Sequence, residues 1–300
     1  MRKEIRKEIR EKIKKEMKQE NRTEFEVRTD LAVEEQERFP GDGGEISGVS
    51  LRKWRESHSD IRMTEVKILD ERGARAMGKP VGTYLTLEAP GLASPDEDYH
   101  REVSEVIADI LRELTGTAES VLVAGLGNRD VTPDALGPQA VSNLMITRHL
   151  IREYGREMMG MDGCCVVSGI VPGVMAQTGM ETAQIIMGVV KELKPDCIIV
   201  IDALAARSTA RLANTIQLSD TGIMPGAGVG NHRNAINDRN MGVPVIAIGV
   251  PTVVDAATIV GDALEGLLDS MDYSRRKQVV QDFIPESMFR MYVTPKDVDE

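Results

Sequence analysis

Four short apolar runs, separated by longer stretches with helical periodicity, constrain the fold of this 300-residue chain more than any other feature. Because each run is rich in β-branched residues and apolar on both faces, each is typical of a strand buried on both sides of a sheet. The runs are SVLVAGLG (120–127), CCVVSGIVPG (164–173), DCIIVIDALA (196–205) and VPVIAIGVP (243–251). The stretches 138–155, 181–195 and 253–271 predict helices between and after them. Alternating strands and helices predict a three-layer α/β/α fold with a mostly parallel central sheet.

The region ahead of these runs predicts a smaller β-containing part. Residues 61–69 and 82–90 alternate between apolar and polar well enough to form strands, and residues 96–116 form an amphipathic helix that ends at Gly116. Residues 37–50 are rich in glycine and polar side chains, which indicates a linker or exposed loop. We therefore expect one α/β domain over residues 31–300, with an N-terminal elaboration at 31–116 and the core sheet and helices at 117–270.

Charge divides the chain into a basic leader and an acidic body. The net charge is −11, but residues 1–30 carry eleven Lys and Arg against eight Asp and Glu, which is +3 and leaves −14 for residues 31–300. The leader predicts either a solvated helix or a detachable segment that docks on the acidic body, with a narrow apolar stripe at Ile5, Ile9, Ile13 and Met17. The acidic balance argues against direct binding of nucleic acid.

Cysteine usage and hydropathy indicate a cytoplasmic protein. Of three cysteines, Cys164 and Cys165 are adjacent, so a disulfide framework is not expected. We expect these two thiols inside an apolar strand, buried and inert. No apolar stretch is long enough to cross a membrane, and the N-terminus lacks the apolar centre of a signal peptide.

Two carboxylates fall at the tips of apolar runs, where ligands bind in open α/β sheets. Asp134 follows the first run by a short loop, and Asp202 comes at the end of CIIVID. If the two strands are neighbours, both carboxylates face one crevice, and a close pair shares a proton as a general acid and base, or binds a metal. The opposing interpretation is structural: Asp134 caps the next helix, and Asp202 orients the loop after its strand.

Other motifs give weaker indications of a binding site for a nucleotide or a metal. GLGN (125–128) resembles part of a dinucleotide-binding fingerprint but lacks the third glycine, which leaves a nucleotide-binding, non-enzymatic module as an alternative. We expect Gly125 and Gly127 to shape the backbone around Asp134 instead, and Asp130 to be exposed. His232, beside the glycine-rich stretch 226–231, is the one histidine placed to be a ligand. Since no paired zinc motif is present, we predict no cofactor and no metal ligands, with a divalent metal left open.

Several long stretches resemble the germination protease family of spore-forming bacteria. They are VRTDLAVEE (27–35), GLGNRDVTPDALGPQAV (125–141), IVPGVMAQTGMET (170–182), IVIDALAARS (199–208), TIQLSDTGIMPGAGVGN (215–231) and GVPVIAIGVPTVVDA (242–256). The resemblance implies an endopeptidase that starts the degradation of small acid-soluble spore proteins during germination, in the cytoplasm of the forespore and spore core. It also implies a self-processing zymogen, a homo-oligomer (a tetramer in the family), and a fold similar to the hydrogenase maturation peptidases.

The same resemblance implies roles for particular residues. The family's two essential aspartates fall on Asp134 and Asp202, which implies an aspartic-type peptidase. In hydrogenase maturation peptidases, acids at equivalent strand ends bind a metal, so a metal-dependent peptidase is the alternative. Family substrates are cut between an acid and a large apolar residue, which predicts self-cleavage at Asp30–Leu31 and a propeptide over residues 1–30. Glu24–Phe25 offers a second bond of the same kind.

Overall fold

A computed structural model describes residues 29–39, 46–56, 60–158, 160, 163–225, 234–260, 263 and 292–294. The strands are β1 (Val49–Arg55), β2 (Arg62–Ile68), β3 (Gly82–Glu88), β4 (Ser120–Gly125), β5 (Val166–Ile170), β6 (Cys197–Ala206), β7 (Thr215–Ser219), β8 (Val245–Asp255) and β9 (Tyr292–Val293). The helices are α1 (Ala32–Glu37), α2 (Glu71–Met77), α3 (Glu97–Thr115), α4 (Leu136–Asn143), α5 (Arg148–Tyr154), α6 (Met175–Thr178), α7 (Thr182–Leu193) and α8 (Asp238–Met241). Short 3-10 turns cover Pro90–Ala93, Thr132–Asp134 and Thr209–Arg211.

The strands form one mixed sheet in the order β1–β2–β3–β7–β8–β6–β4–β5, with β9 added to β8. Neighbours from β8 to β5 are parallel, whereas β1, β2, β3, β7 and β8 pair antiparallel. Strand β8 therefore joins the two halves, because it is parallel to β6 on one side and antiparallel to β7 on the other. This arrangement confirms the predicted α/β class, with parallel strands at the centre of the core.

Alternate residues of β4 and β6 pack against helices on opposite faces. Leu122 and Ile198 lie in one apolar cluster with Ile186 of α7, whereas Val121 lies in another with Val141 of α4. Helix α3 covers the antiparallel half, where Val103 packs with side chains of β2, β3 and β7. The parallel half is thus a layer of strands between two layers of helices, which places its loops at the edge of the sheet.

Most predicted elements match the structure. The strands predicted at 61–69 and 82–90 are β2 and β3. The predicted amphipathic helix is α3, in which the Asp96 side chain accepts the N–H groups of Asp98 and Tyr99 and Gly116 follows the last turn. Strands β1 and β7 were not predicted. Val49 and Ser50, expected in a loop, begin β1, while residues 40–45 of that stretch lie outside the described residues.

Three local expectations were wrong. The helix predicted over 138–155 is two helices, because the chain becomes extended at Leu144, and the Thr147 hydroxyl then bonds Cys165 O (2.8 Å) and Val167 N (2.8 Å) at the start of β5. The helix predicted from residue 253 starts at residue 256, because residues 253–255 extend β8. Cys164 and Cys165 precede β5 and are exposed, while Cys197 is the buried thiol. Residues 1–28 of the leader 1–30, with the stripe from Ile5 to Met17, lie outside the described residues. No helix among the described residues is long and apolar enough to cross a membrane.

Candidate active site

A cavity of about 510 Å³ opens beside β6 and β8, at the carboxyl end of β4. Asp134 and Asp202 both line it, so the structure brings together the two carboxylates that the sequence singled out. Asp134 lies in the 3-10 turn after β4. Asp202 lies within β6, which continues to Ala206, and not at the end of its strand as predicted.

The Asp134 carboxylate is fixed by the loop that carries it. Its Oδ2 accepts the backbone N–H of Asn128 at 2.7 Å. The loop is tied to the sheet by the Thr252 hydroxyl, which donates to Pro133 O at 2.7 Å. The proposed role as a helix cap is wrong, since Ala135 is the N-cap residue of α4 and no side chain caps that helix. Asp134 is therefore positioned toward the cavity by an anchored turn.

Two glycines allow this turn to approach the sheet. Gly127 has φ +108°, and a Cβ there would lie 2.0 Å from Asp134 O. A Cβ on Gly125 would lie 2.1 Å from Gly137 O, where the first turn of α4 crosses β4. Any side chain at these positions would displace backbone, so the glycines serve close packing of Asp134 and α4, as the sequence indicated. Asp130, in the same loop, is exposed as expected.

Asp202 is the more buried member of the pair, with 6% of its surface exposed. Its Oδ1 accepts the N–H of Ala203 at 2.9 Å. Next to it, Leu126 N donates to Ile201 O at 2.8 Å, which joins the loop after β4 directly to β6. Both carboxylates line one cavity, and carboxylates placed on one site disfavour each other's ionisation, which is the condition under which a pair shares a proton. Such a pair can act as general base and general acid.

Asp30 also lines this cavity, so the residue before the predicted self-cleavage bond shares one cavity with the predicted catalytic pair. The backbone N–H of Asp30 donates to Ala205 O at 2.9 Å, and its Oδ2 accepts Ala205 N at 2.9 Å. Leu31 is fully buried and packs with Leu204 and Val254. The two sides of the bond are thus held differently: an acid in the cavity and an apolar side chain in the core.

Helix α1 is anchored by Glu34, a buried acid that the sequence analysis did not select. Its carboxylate is 0% exposed and accepts the backbone N–H groups of Arg207 (2.6 Å) and Ser208 (3.0 Å). Arg211 reaches it at 3.3 Å, and the Thr29 hydroxyl also donates to it. These contacts fix the segment that follows Leu31 against the end of β6.

Lys79 and Gln217 were also missed, although both contact the Asp30 carbonyl oxygen. Gln217 is a polar residue within the buried strand TIQLS, a signal that could have selected it. Lys79 follows the end of α2 and carries no such signal. Burial lowers the pKa of Lys79, while the nearby carboxylates of Asp30, Glu35 and Glu34 act in the opposite direction.

Within the described ranges, no group of three or more His, Cys, Asp and Glu side chains is placed to hold a metal ion. The carboxylates of Asp30, Asp134 and Asp202 line the cavity, but they do not form a group of the three protein ligands that a catalytic zinc site uses. His232 and the glycine-rich stretch 226–231 lie outside the described residues. No step through a metal follows from these donors.

The family model and the relatives that match this chain carry the same description, germination protease. A family described as germination protease matches residues 25–300. A germination protease of Caldanaerobacter subterraneus subsp. tengcongensis is 48% identical over 91% of this chain and 88% of its own length. That of Clostridium tetani is 44% identical over 91% of this chain and 90% of its own length. That of Priestia megaterium is 46% identical over 85% of this chain and 71% of its own length. The [NiFe] hydrogenase maturation protease HycI from Thermococcus kodakarensis aligns with 48% of this chain and 80% of its own at 16% identity, with a TM-score of 0.31, too low to transfer any site.

Proposed function

This chain belongs to the germination protease family, and on that premise we propose that it is an endopeptidase that begins the degradation of small acid-soluble spore proteins during germination. Membership makes it a peptidase, and therefore a hydrolase of peptide bonds. The proposal places it in the cytoplasm of the forespore and spore core. It assembles as a homo-oligomer, for which the tetramer of the family resemblance is the expected form.

The proposed mechanism uses Asp134 and Asp202 as a pair that shares one proton. The ionised carboxylate takes a proton from a water molecule as the water oxygen attacks the carbonyl carbon of the cleaved bond. The protonated carboxyl then supplies a proton to the departing nitrogen, so the pair ends with one proton again. The observation that carries this mechanism is that both carboxylates line one cavity, with Asp202 almost fully buried.

The proposal includes a zymogen in which residues 1–30 are the propeptide and the bond Asp30–Leu31 is cut by the chain itself. The active domain would then be residues 31–300. Asp30 supports this choice because it lines the same cavity as Asp134 and Asp202. The second bond, Glu24–Phe25, lies outside the described residues and gains no such support.

Substitution of either aspartate tests the mechanism. We expect Asp134→Asn and Asp202→Asn to slow self-cleavage and the cleavage of a small acid-soluble spore protein by about 100- to 10,000-fold, the range for loss of a general acid or base. Mass spectrometry measures the new N-terminus at Leu31 and the substrate fragments. Asp130→Asn is the matched control, because it makes the same change in the same loop at an exposed position.

Three results would contradict the two-aspartate mechanism. The first is wild-type activity in either variant, and the second is an equal loss in the Asp130→Asn control. The third is activity that disappears in a chelator and returns with a divalent cation, which would favour a metal-dependent peptidase.

A further inference from the structure

Two side chains from different parts of the domain, one in a loop and one in a strand, meet at the carbonyl oxygen of Asp30. Lys79 Nζ donates to it at 2.9 Å, and Gln217 Nε2 donates to it at 3.2 Å. Lys79 lies just after α2, whereas Gln217 belongs to β7. This oxygen therefore accepts hydrogen bonds from an ammonium group and an amide group at once.

Gln217 also fixes the far side of the same bond. Its Oε1 accepts the backbone N–H of Ala32 at 2.7 Å, so one side chain contacts the peptide groups before and after Leu31. Ala205 holds the residue before the bond through both its N–H and its carbonyl oxygen. The orientation of the Asp30–Leu31 peptide is thereby set from both sides, which is the preorganisation that a reacting group requires.

Because Lys79 carries a positive charge, its contact with the carbonyl oxygen does two things: it holds the oxygen in place, and it favours negative charge on it. Burial lowers the pKa of this ammonium, and Asp30, Glu35 and Glu34 favour its charged form. A cation held in a partly dehydrated site interacts more strongly with a developing negative charge than it would in water. Donors aimed at an oxygen that becomes negative in the transition state are a main source of rate enhancement in acyl transfer.

We propose that Lys79 and Gln217 stabilise the negative charge that forms on the Asp30 carbonyl oxygen when the chain cuts its own Asp30–Leu31 bond. This inference rests on the proposed self-cleavage. Water adds to the carbonyl carbon, and the C=O electron pair moves onto the oxygen bound by Lys79 and Gln217. The aspartate pair takes the proton that the water loses, and when the intermediate collapses, the C–N bond breaks and the pair gives a proton to the nitrogen of Leu31. The products are a new C-terminal α-carboxylate on Asp30 and a new N-terminal amino group on Leu31.

The test compares self-cleavage rates of full-length variants by following the Leu31 N-terminus with intact-mass spectrometry. We expect Lys79→Met to slow the reaction about 100-fold, the effect of losing one oxyanion donor, and Lys79→Arg to restore part of the rate by returning a cation. Lys67→Met is the matched control, because it removes the same charge from a β2 side chain that is 45% exposed and pairs with Glu65. It should cleave at the wild-type rate.

Gln217→Glu provides a second variant that keeps size and shape. It retains an oxygen for Ala32 N–H but replaces the donor to Asp30 O with an acceptor, so self-cleavage should slow while the melting temperature stays near wild type. This variant keeps the inference testable if Lys79→Met does not fold.

The outcomes separate this inference from the function on which it rests. If the wild-type chain cuts itself elsewhere or never cuts, both the cleavage bond and this inference are wrong. If it forms the Leu31 N-terminus but a folded Lys79→Met cuts as fast or faster, only this inference is overturned. Faster cutting would mean that Lys79 restrains the bond instead of activating it.

Discussion

Gly127 shows how one missing side chain determines the position of the proposed catalytic Asp134. Its backbone has φ +108°, and a Cβ would meet Asp134 O at 2.0 Å. We expect Gly127→Ala to lower the free energy of unfolding by at least about 1–3 kcal/mol through backbone strain and to abolish peptidase activity by displacing Asp134. Urea denaturation and a cleavage assay measure the two effects.

Gly155 supplies the control for that prediction. It has φ +76°, and among the described residues beyond its chain neighbours no atom lies within 4 Å of the position that a Cβ would take. Gly155→Ala therefore introduces strain without a clash, and it should lose stability but keep activity. Equal activity in both variants would mean that Gly127 does not position Asp134.

Single residues differ in how far the sequence could predict their roles. The shared cavity of Asp134 and Asp202 was predictable, because an acid at the tip of an apolar run is costly to bury without a polar partner or a ligand site. Lys79 and Gln217 were not, because their shared contact with Asp30 depends on three segments that are distant in the chain. A pattern within one short segment of sequence does not predict a contact between segments that are distant in the chain.

Helix α1 is held to the domain by the polar contacts of one buried acid, Glu34, in addition to the apolar packing of Ala32 and Val33. Glu34→Ala would leave the backbone N–H groups of Arg207 and Ser208 without their acceptor and remove a carboxylate from Arg211. We expect the free energy of unfolding to fall by about 3 kcal/mol, as for other broken buried ion pairs. Urea denaturation measures it. Glu71→Ala, an exposed acid on α2, should change it little, and an equal loss in both would contradict this anchoring role.

The sequence predicted elements well where their patterns were local. The four apolar runs became the parallel strands β4, β5, β6 and β8, because a strand buried on both faces must be apolar throughout. Strand β7 escaped prediction because its five residues carry a buried Gln217 and give too short a pattern. The break between α4 and α5 was not predicted, because the Thr147 hydroxyl at its end bonds Cys165 and Val167, which lie 18 and 20 residues further along the chain.

At the scale of the molecule, the three cysteines distinguish the surface from the core. Cys164 and Cys165 are exposed, whereas burial raises the pKa of the Cys197 thiol to about 11, with a smaller contribution from Asp196. We expect a thiol reagent at neutral pH to modify two groups rapidly in the native protein and the third only on unfolding. Counting modified thiols by mass spectrometry, with a urea-denatured sample as control, checks this. Rapid modification of Cys197 would contradict the burial.

The antiparallel pairing of β3 with β7 has a consequence for the time at which the protein can form. Strand β3 ends at Glu88, and its partner starts at Thr215, so the ribosome must make all of residues 89–214 before the two strands can pair. At about 5–20 residues per second, this delay lasts roughly 6–25 s. The binding position of Asp30 depends on Ala205 and Gln217, which emerge at the end of that interval. On the proposed mechanism, a nascent chain therefore cannot cut itself during most of its own translation.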